Sequence, residues 1–78
     1  MKTKLSKLPL GQEAVIKKIN IAEPTKERLH SFGFIEKVEI CPIKELPLGG
    51  LRIYRLMNTS VALRNEIANQ IYIKKQFK

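Results

Sequence analysis

The last part of the chain alternates apolar and polar positions in two short segments that flank one polar stretch. Val61 and Leu63 share one face of the first segment, and Ile71 and Ile73 share one face of the second. The residues between them, 66–70, have room for a single helical turn. The pattern therefore predicts a strand, a turn and a closing strand, with both apolar faces turned towards the core.

Three more strands are predicted earlier in the chain from their apolar and β-branched residues. Residues 13–21 form the first of these strands. Residues 37–43 form the second, in which Pro42 places the far end at a sheet edge or a bulge. Residues 51–57 form the third strand, and the preceding Pro47-Leu48-Gly49-Gly50 predicts a hairpin tip.

One helix is predicted between the first two of these strands, from Pro24 to Phe32. Proline suits the first helical position because its missing N–H would be unpaired there, and Thr25 is a second possible start, as an N-cap. Gly33 suits the position after the helix, where the backbone takes a positive φ. Leu29 and Phe34 then occupy the two positions that touch in a Schellman cap.

These elements predict a mainly β fold: a small SH3-like β-barrel of about five strands, with one inserted α-helix and a short helical turn before the last strand. The chain of 78 residues is expected to form a single domain over 1–78, with a frayed tail at 74–78. Leu5 and Leu8 are expected to pack near the first long strand. The predicted core consists of Ile16, Ile19, Leu29, Phe32, Phe34, Val38, Ile40, Val61, Leu63, Ile71 and Ile73.

The net charge of +8 favours an anionic partner, which could be nucleic acid, a membrane surface or an acidic protein face. The fifteen Lys and Arg residues are nevertheless spread along the chain among seven Glu residues, as on an ordinary solvated surface. One cysteine cannot form an internal disulfide, and no apolar run is long enough to cross a bilayer. A cytoplasmic location is the default expectation.

Catalytic and metal chemistry is not expected from this sequence. The chain has no Asp, and its one histidine, His30, lies beside Ser31 on the helix, where adjacent side chains point about 100° apart. His30 and Cys41 are the only soft metal ligands, and structural zinc needs four at short, paired spacings. The sequence therefore predicts no enzyme activity, no resident cofactor and no built-in metal site.

Nucleic-acid binding would need aromatic side chains interleaved with basic ones. Tyr54, flanked by Arg52 and Arg55, is the one stacking candidate, and a half-buried strand residue is the competing interpretation. Arg52 and Arg55 fall on opposite faces of their strand. A single aromatic residue makes a thin platform, so nucleic acid remains the alternative partner.

The chain resembles the FeoA family, ferrous iron transport protein A, from about Leu5 to Ile73. The family has a helix ending in Arg-Leu-x-x-Leu/Met-Gly-Phe/Leu, here Arg28 to Phe34, and a Pro-Leu-Gly-Gly hairpin, here at 47–50. Its other shared positions here are Leu5, Leu8, Gly11, Ala62, Leu63, Arg64, Ala68, Ile71 and Ile73. Where the family usually has Pro-Gly, this chain has Glu36-Lys37; Leu51 and Asn58 also replace a common Pro and a common Gly.

The resemblance implies a non-enzymatic cytoplasmic accessory protein of ferrous iron uptake. Its expected partner is the GTP-binding domain of the membrane iron transporter, so that contact with the membrane is only indirect. The expected contact residues are Leu48, Arg52, Tyr54 and Lys37, at the hairpin and the loop after the helix. An SH3-like nucleic-acid binder and a carrier of ferrous iron are the competing hypotheses. Some iron-dependent repressors end in a similar module, but no helix-turn-helix domain is expected here.

Overall fold

The computed structural model describes residues 3–47, 50–57 and 59–75. Six strands and two α-helices follow one another along the chain, with a 3₁₀ helix at Leu5–Lys7 after the first strand. The elements are β1 (Thr3–Lys4), β2 (Ala14–Ile19), α1 (Thr25–Ser31), β3 (Glu39–Glu45), β4 (Leu51–Leu56), β5 (Thr59–Arg64), α2 (Asn65–Ala68) and β6 (Ile71–Lys75).

All six strands belong to one antiparallel sheet with the order β1-β6-β2-β3-β4-β5. The mainly β class, the inserted helix and the helical turn before the last strand are as predicted. The strand number differs, because β1 adds a sixth strand by pairing Thr3 with Ile73 and Lys4 with Tyr72. In the part of the chain that the structure describes, β1 and β5 end the sheet without pairing to each other, so the sheet is open.

The predicted frayed tail, 74–78, includes two residues that are part of the sheet. Lys75 pairs with Ala14 and Lys74 pairs with Val15, so both lysines belong to β6. Strand pairing gives their backbone groups regular partners, which a local sequence pattern cannot reveal. Residues 76–78 lie outside the described part of the chain.

Two bulges interrupt the sheet. On β2 the register shifts between Ile16 and Lys18, which leaves Lys17 as an extra residue opposite β6. On β3 the register shifts between Pro42 and Lys44, where the proline predicted a bulge. A bulge bends its strand and changes the direction of nearby side chains.

Helix α1 ends in the predicted Schellman cap. The N–H of Phe34 donates to the carbonyl of Leu29, and the N–H of Gly33 donates to the carbonyl of His30, both at 3.0 Å. Gly33 has a φ of 101°, which a side chain would disfavour. Leu29 and Phe34 are both buried and belong to the same hydrophobic cluster, as expected for the predicted clamp.

Phe32 is the predicted core residue that the structure places elsewhere, since 48% of its surface is exposed. The helix starts at Thr25 rather than Pro24 and buries a single residue, Leu29. The chain reverses at Gly33, so that Phe34 enters the core and Phe32 remains at the surface.

The remaining predicted core residues pack together on the inner face of the sheet. Val38 and Val61 are partly buried against this cluster, and the others are buried. The cluster also includes residues that the core prediction did not list, namely Leu5, Leu8, Ala14, Tyr54, Leu56 and Ala68.

Candidate interaction surface

The four residues predicted to contact a partner occupy different environments. Arg52 and Tyr54 are only 4% and 0% exposed, whereas Lys37 is exposed. Leu48 lies outside the described residues. Their burial leaves the side chains of Arg52 and Tyr54 almost no accessible surface for a partner, and their predicted contact with one stays a prediction. Whether the hairpin itself contacts a partner stays a prediction.

Arg52 lies inside the fold because its guanidinium group holds the N-terminal segment. Nη1 donates to the carbonyl of Ser6 at 3.0 Å, and Nη2 donates to the carbonyl of Leu8 at 2.7 Å. Nε lies 3.4 Å from Oε1 of Glu45, whose side chain is exposed. We call this arrangement of Arg52, Ser6, Leu8 and Glu45 the arginine clasp. It joins β4 to the 3₁₀ helix with charge-assisted hydrogen bonds.

Tyr54 lies beside the arginine clasp and is fully buried. The Cζ atom of Arg52 is 5.7 Å from the centre of the Tyr54 ring, a cation–π distance. The buried Tyr54 hydroxyl makes no well-formed hydrogen bond within the described residues, although Arg52 is close enough to interact with it. Burial raises the pKa of Tyr54 above its ordinary value of 10.0, and the positive charge of Arg52 partly offsets this. A ring in this position cannot stack on a nucleic-acid base.

The sequence does contain the alternation that places these residues on one face. Arg52, Tyr54 and Leu56 are two apart and buried, while Arg55 is exposed, as predicted for the opposite face. Leu51 and Ile53 give the other face an equally apolar pattern. Alternation alone therefore could not decide which face of β4 is inside.

Lys37 occupies the turn that leads into β3. Its backbone has a φ of 76°, although the residue is not glycine. Its N–H donates to the carbonyl of Ile16 at 2.7 Å, and the N–H of Ile16 donates to the carbonyl of Val38 at 2.9 Å. The turn is thus fixed against β2, and the chain keeps a positive φ where the family it resembles usually has glycine.

Lys37 also lines a groove that no sequence pattern predicts. The groove has a volume of about 500 Å³ and runs across β2 between this turn and the end of β6. We call it the lysine groove; its lining residues are Val15, Ile16, Lys17, Glu36, Lys37, Lys74 and Lys75. Its lysines come together through the β2–β6 register and the bulge at Lys17, neither of which a sequence pattern specifies.

A second depression, of about 320 Å³, lies over β3 and contains charges of both signs. Its lining includes Glu13, Glu39 and Arg55 beside the buried thiol of Cys41. Across residues 3–47, 50–57 and 59–75, no group of three or more His, Cys, Asp or Glu side chains is placed to hold a metal ion. His30 is exposed on α1.

No helix within the described ranges is long and apolar enough to cross a membrane. The described structure thus combines a six-stranded sheet and one inserted helix with a basic groove over the second strand.

The FeoA domain family matches residues 3–75, which is nearly the whole sequence. The chain belongs to the FeoA family. FeoA proteins are accessory proteins of ferrous iron transport and are not a known enzyme family. No curated protein matches the sequence closely enough to add to this assignment.

Solved structures share the fold of this FeoA chain. Iron(II) transport protein A from Clostridium thermocellum is 30% identical, with a TM-score of 0.88 over 94% of this chain and 45% of that chain. The chain therefore spans less than half the length of that relative.

FeoA from Stenotrophomonas maltophilia, in complex with zinc, is 26% identical with a TM-score of 0.74, over 92% of this chain and 89% of that one. It is described as an SH3 domain protein proposed to activate bacterial ferrous iron transport. A manganese-dependent transcriptional repressor, 17% identical, superposes with a TM-score of 0.83 over 96% of this chain and 42% of that one. At that identity the similarity shows a shared fold only.

Proposed function

We propose that this protein is a non-enzymatic accessory protein that docks on the cytoplasmic GTP-binding domain of a ferrous iron transporter and regulates iron uptake. The observation that carries the proposal is the FeoA match over residues 3–75. The S. maltophilia relative, which is proposed to act as a ferrous iron transport activating factor, supports a transporter as the partner.

Physical features of the chain agree with a docking role. Charge is the main one, because a net +8 on 78 residues accelerates association with an acidic face. The lysine groove concentrates part of that charge beside apolar surface from Val15. Lys37 lines this groove, and Leu48 belongs to the hairpin tip predicted from the sequence, so both remain predicted contact residues.

A titration tests the proposal directly. The ¹⁵N-labelled protein is titrated with the GTP-binding domain of a ferrous iron transporter from the same organism, and amide shifts are followed. We expect saturable shifts confined to one face. A GTP-binding domain of similar size and net charge from an unrelated protein is the matched control. The absence of saturable shifts with the transporter domain, or equal binding to the control, would contradict the proposal.

The competing function is nucleic-acid binding, which the net charge of +8 favours. Phosphate-driven binding weakens steeply with salt because each neutralised phosphate releases counterions. Titration of single-stranded and double-stranded oligonucleotides at two salt concentrations separates the alternatives. Tighter binding to an oligonucleotide than to the transporter domain at physiological salt would replace the docking proposal.

A further inference from the structure

The lysine groove brings together cations from three separate parts of the chain. Lys17 lies at the β2 bulge, Lys37 lies in the turn before β3, and Lys74 and Lys75 lie at the end of β6. All four side chains are exposed. The positions of all four backbones are fixed, because β2 pairs with β6 and the turn is hydrogen-bonded to Ile16. The groove is thus a pre-formed concave surface with positive charge on both walls.

These positive charges have no ion-pair partners within the described part of the chain. None of the four lysine ammonium groups forms an ion pair with a carboxylate anywhere in the described ranges. Glu36 is the single acidic residue in the described lining, which therefore has an excess of positive charge. Like charges gathered around one concave surface repel each other, and an anionic occupant would relieve that repulsion.

The floor of the groove limits what the occupant can be. Val15 faces outward and is half-buried, whereas the side chain of Ile16 points into the core, so Val15 gives the floor its apolar side chain between cationic walls. The N–H and carbonyl of Ile16 already bond to Val38 and Lys37. A ligand therefore could not add there as another strand and would be recognised through its side chains. Carboxylates that flank one apolar side chain match this surface.

A nucleic-acid strand matches the groove less well. Among residues 3–47, 50–57 and 59–75, no aromatic side chain lines it, so this part of the lining gives bases nothing to stack on. Glu36 lies in the lining, and Glu39 pairs directly with Val15 on β3. These carboxylates interrupt the positive surface at both the turn and the neighbouring strand. Such a surface suits a few discrete carboxylates better than a continuous phosphate backbone.

We propose that the lysine groove binds an acidic peptide segment of the partner protein, with carboxylates paired to Lys17, Lys37, Lys74 and Lys75 and one apolar side chain over Val15. This inference rests on the proposed docking function, because it names the surface and the chemistry of the segment that would be captured. It differs from the predicted hairpin surface in placing the contact across β2 and β6.

A synthetic peptide gives the first test. The probe is acetyl-Glu-Asp-Leu-Glu-Asp-Gly-amide, titrated into the ¹⁵N-labelled full chain at low salt. Its matched control is the same peptide with Gln and Asn in place of Glu and Asp. We expect saturable shifts at Val15, Lys17, Lys37 and Lys74 with the acidic peptide only. Shifts centred elsewhere, or equal binding of the uncharged peptide, would overturn the proposal.

Charge reversal gives the second test. The double variant Lys17→Glu with Lys74→Glu should weaken the peptide Kd at least about tenfold, or about 1.4 kcal/mol. The control is Lys7→Glu with Lys44→Glu, which changes net charge equally at exposed lysines outside the groove. Circular dichroism melts show that each variant is folded. An equal loss in both variants would mean that only net charge matters, which would overturn the proposal.

The same variants separate this inference from the proposed function. If the transporter domain binds the groove variant as tightly as the unchanged protein, the groove is not the docking site but the docking function stands. If the acidic peptide binds in the groove while the transporter domain does not bind at all, the proposed function fails. A single-stranded oligonucleotide that binds in the groove more tightly than the peptide would replace the acidic segment as the ligand.

Discussion

The arginine clasp and the lysine groove use positive charge in opposite ways. In the clasp, one guanidinium group is 4% exposed and donates to the carbonyls of Ser6 and Leu8. In the groove, four exposed ammonium groups have no carboxylate partner among the described residues. The hydrogen bonds of the arginine clasp stabilise the fold, whereas the lysines of the groove remain available to bind an anionic partner.

The difference shows why net charge is a poor guide to a binding surface. A planar guanidinium group can satisfy several fixed acceptors at once, so Arg is suited to a buried position. The lysine ammonium group is strongly hydrated and favours exposure. Arg52 was predicted as a contact residue and lies inside, while Lys17, Lys74 and Lys75 were not predicted as contacts and line the groove.

The largest expected effect comes from the core that supports the groove. Phe34→Ala should destabilise the protein by about 3–5 kcal/mol, because it empties a fully buried site at the start of the turn that carries Lys37. Such a loss is a large part of the stability of a small domain. Urea unfolding measures the change. Phe32→Ala is the matched control, expected below about 1 kcal/mol because that ring is half exposed. Equal losses would contradict the clamp.

The next effect tests the clasp itself. Arg52→Met should destabilise by about 2–4 kcal/mol, because two carbonyls lose charge-assisted donors while the volume is largely kept. Arg55→Met, on the exposed face of the same strand, should change stability by less than about 0.5 kcal/mol. Denaturant unfolding of both variants gives the comparison. If Arg52→Met is as mild as Arg55→Met, the clasp does not stabilise the fold.

The same pair of variants sharpens the contrast with the groove. Folded Arg52→Met protein should bind the acidic peptide as the unchanged protein does, since Arg52 does not line the groove. A parallel loss of peptide affinity would show that the two regions are coupled.

Local signals predicted the parts of this fold that depend on local physics. Gly33, with Leu29 and Phe34 on either side, predicted the helix cap because a Schellman motif is made within six residues. Pro42 predicted a bulge because proline lacks the N–H that the ladder requires. The strand and helix segments followed from apolar periodicity, with boundaries that differ by a few residues.

The missed features depend on contacts between distant segments. Strand β1 has two residues, too few to show alternation. The burial of Arg52 depends on carbonyl acceptors that lie 46 and 44 positions away along the chain, so no local pattern predicts it. The lysine groove depends on a register in which Lys74 lies beside Val15. Of the predicted contact residues, only Lys37 is both described and exposed, so the candidate site was predicted far less completely than the fold.

A smaller change in stability is expected at Tyr54, the polar neighbour of the arginine clasp. Tyr54→Phe removes a buried hydroxyl that makes no well-formed hydrogen bond within the described residues, and should stabilise by up to about 1 kcal/mol at neutral pH. Burial raises the pKa of Tyr54 above 10.0 in the folded protein. As the pH rises, the folded state therefore retains the Tyr54 proton to a higher pH than the unfolded state does.

The raised pKa of Tyr54 determines how the stability of the protein changes with pH. The contribution of Tyr54 is fully present below pH 10 and is lost as the pH rises through the folded pKa. Tyr54→Phe has no such group, so its stability advantage should widen above pH 10. Unfolding free energies from pH 8 to 11 for both proteins measure this, with lysine titration common to both. An advantage that narrows above pH 10 would show that the sign is wrong.

The smallest expected change in stability is at Lys37, where two substitutions separate the effect on folding from the effect on peptide binding. Lys37 holds a φ of 76°, where a side chain costs about 1–2 kcal/mol and glycine costs nothing. Glycine also gains flexibility in the unfolded state, so Lys37→Gly should stabilise by about 0.5–1 kcal/mol net. Lys37→Ala keeps a side chain at this φ and should not stabilise. Both variants remove the same charge and should weaken binding of the acidic peptide equally. If peptide affinity instead follows stability, with the glycine variant binding better than the alanine variant, Lys37 acts on the groove through the shape of its turn and not through its charge.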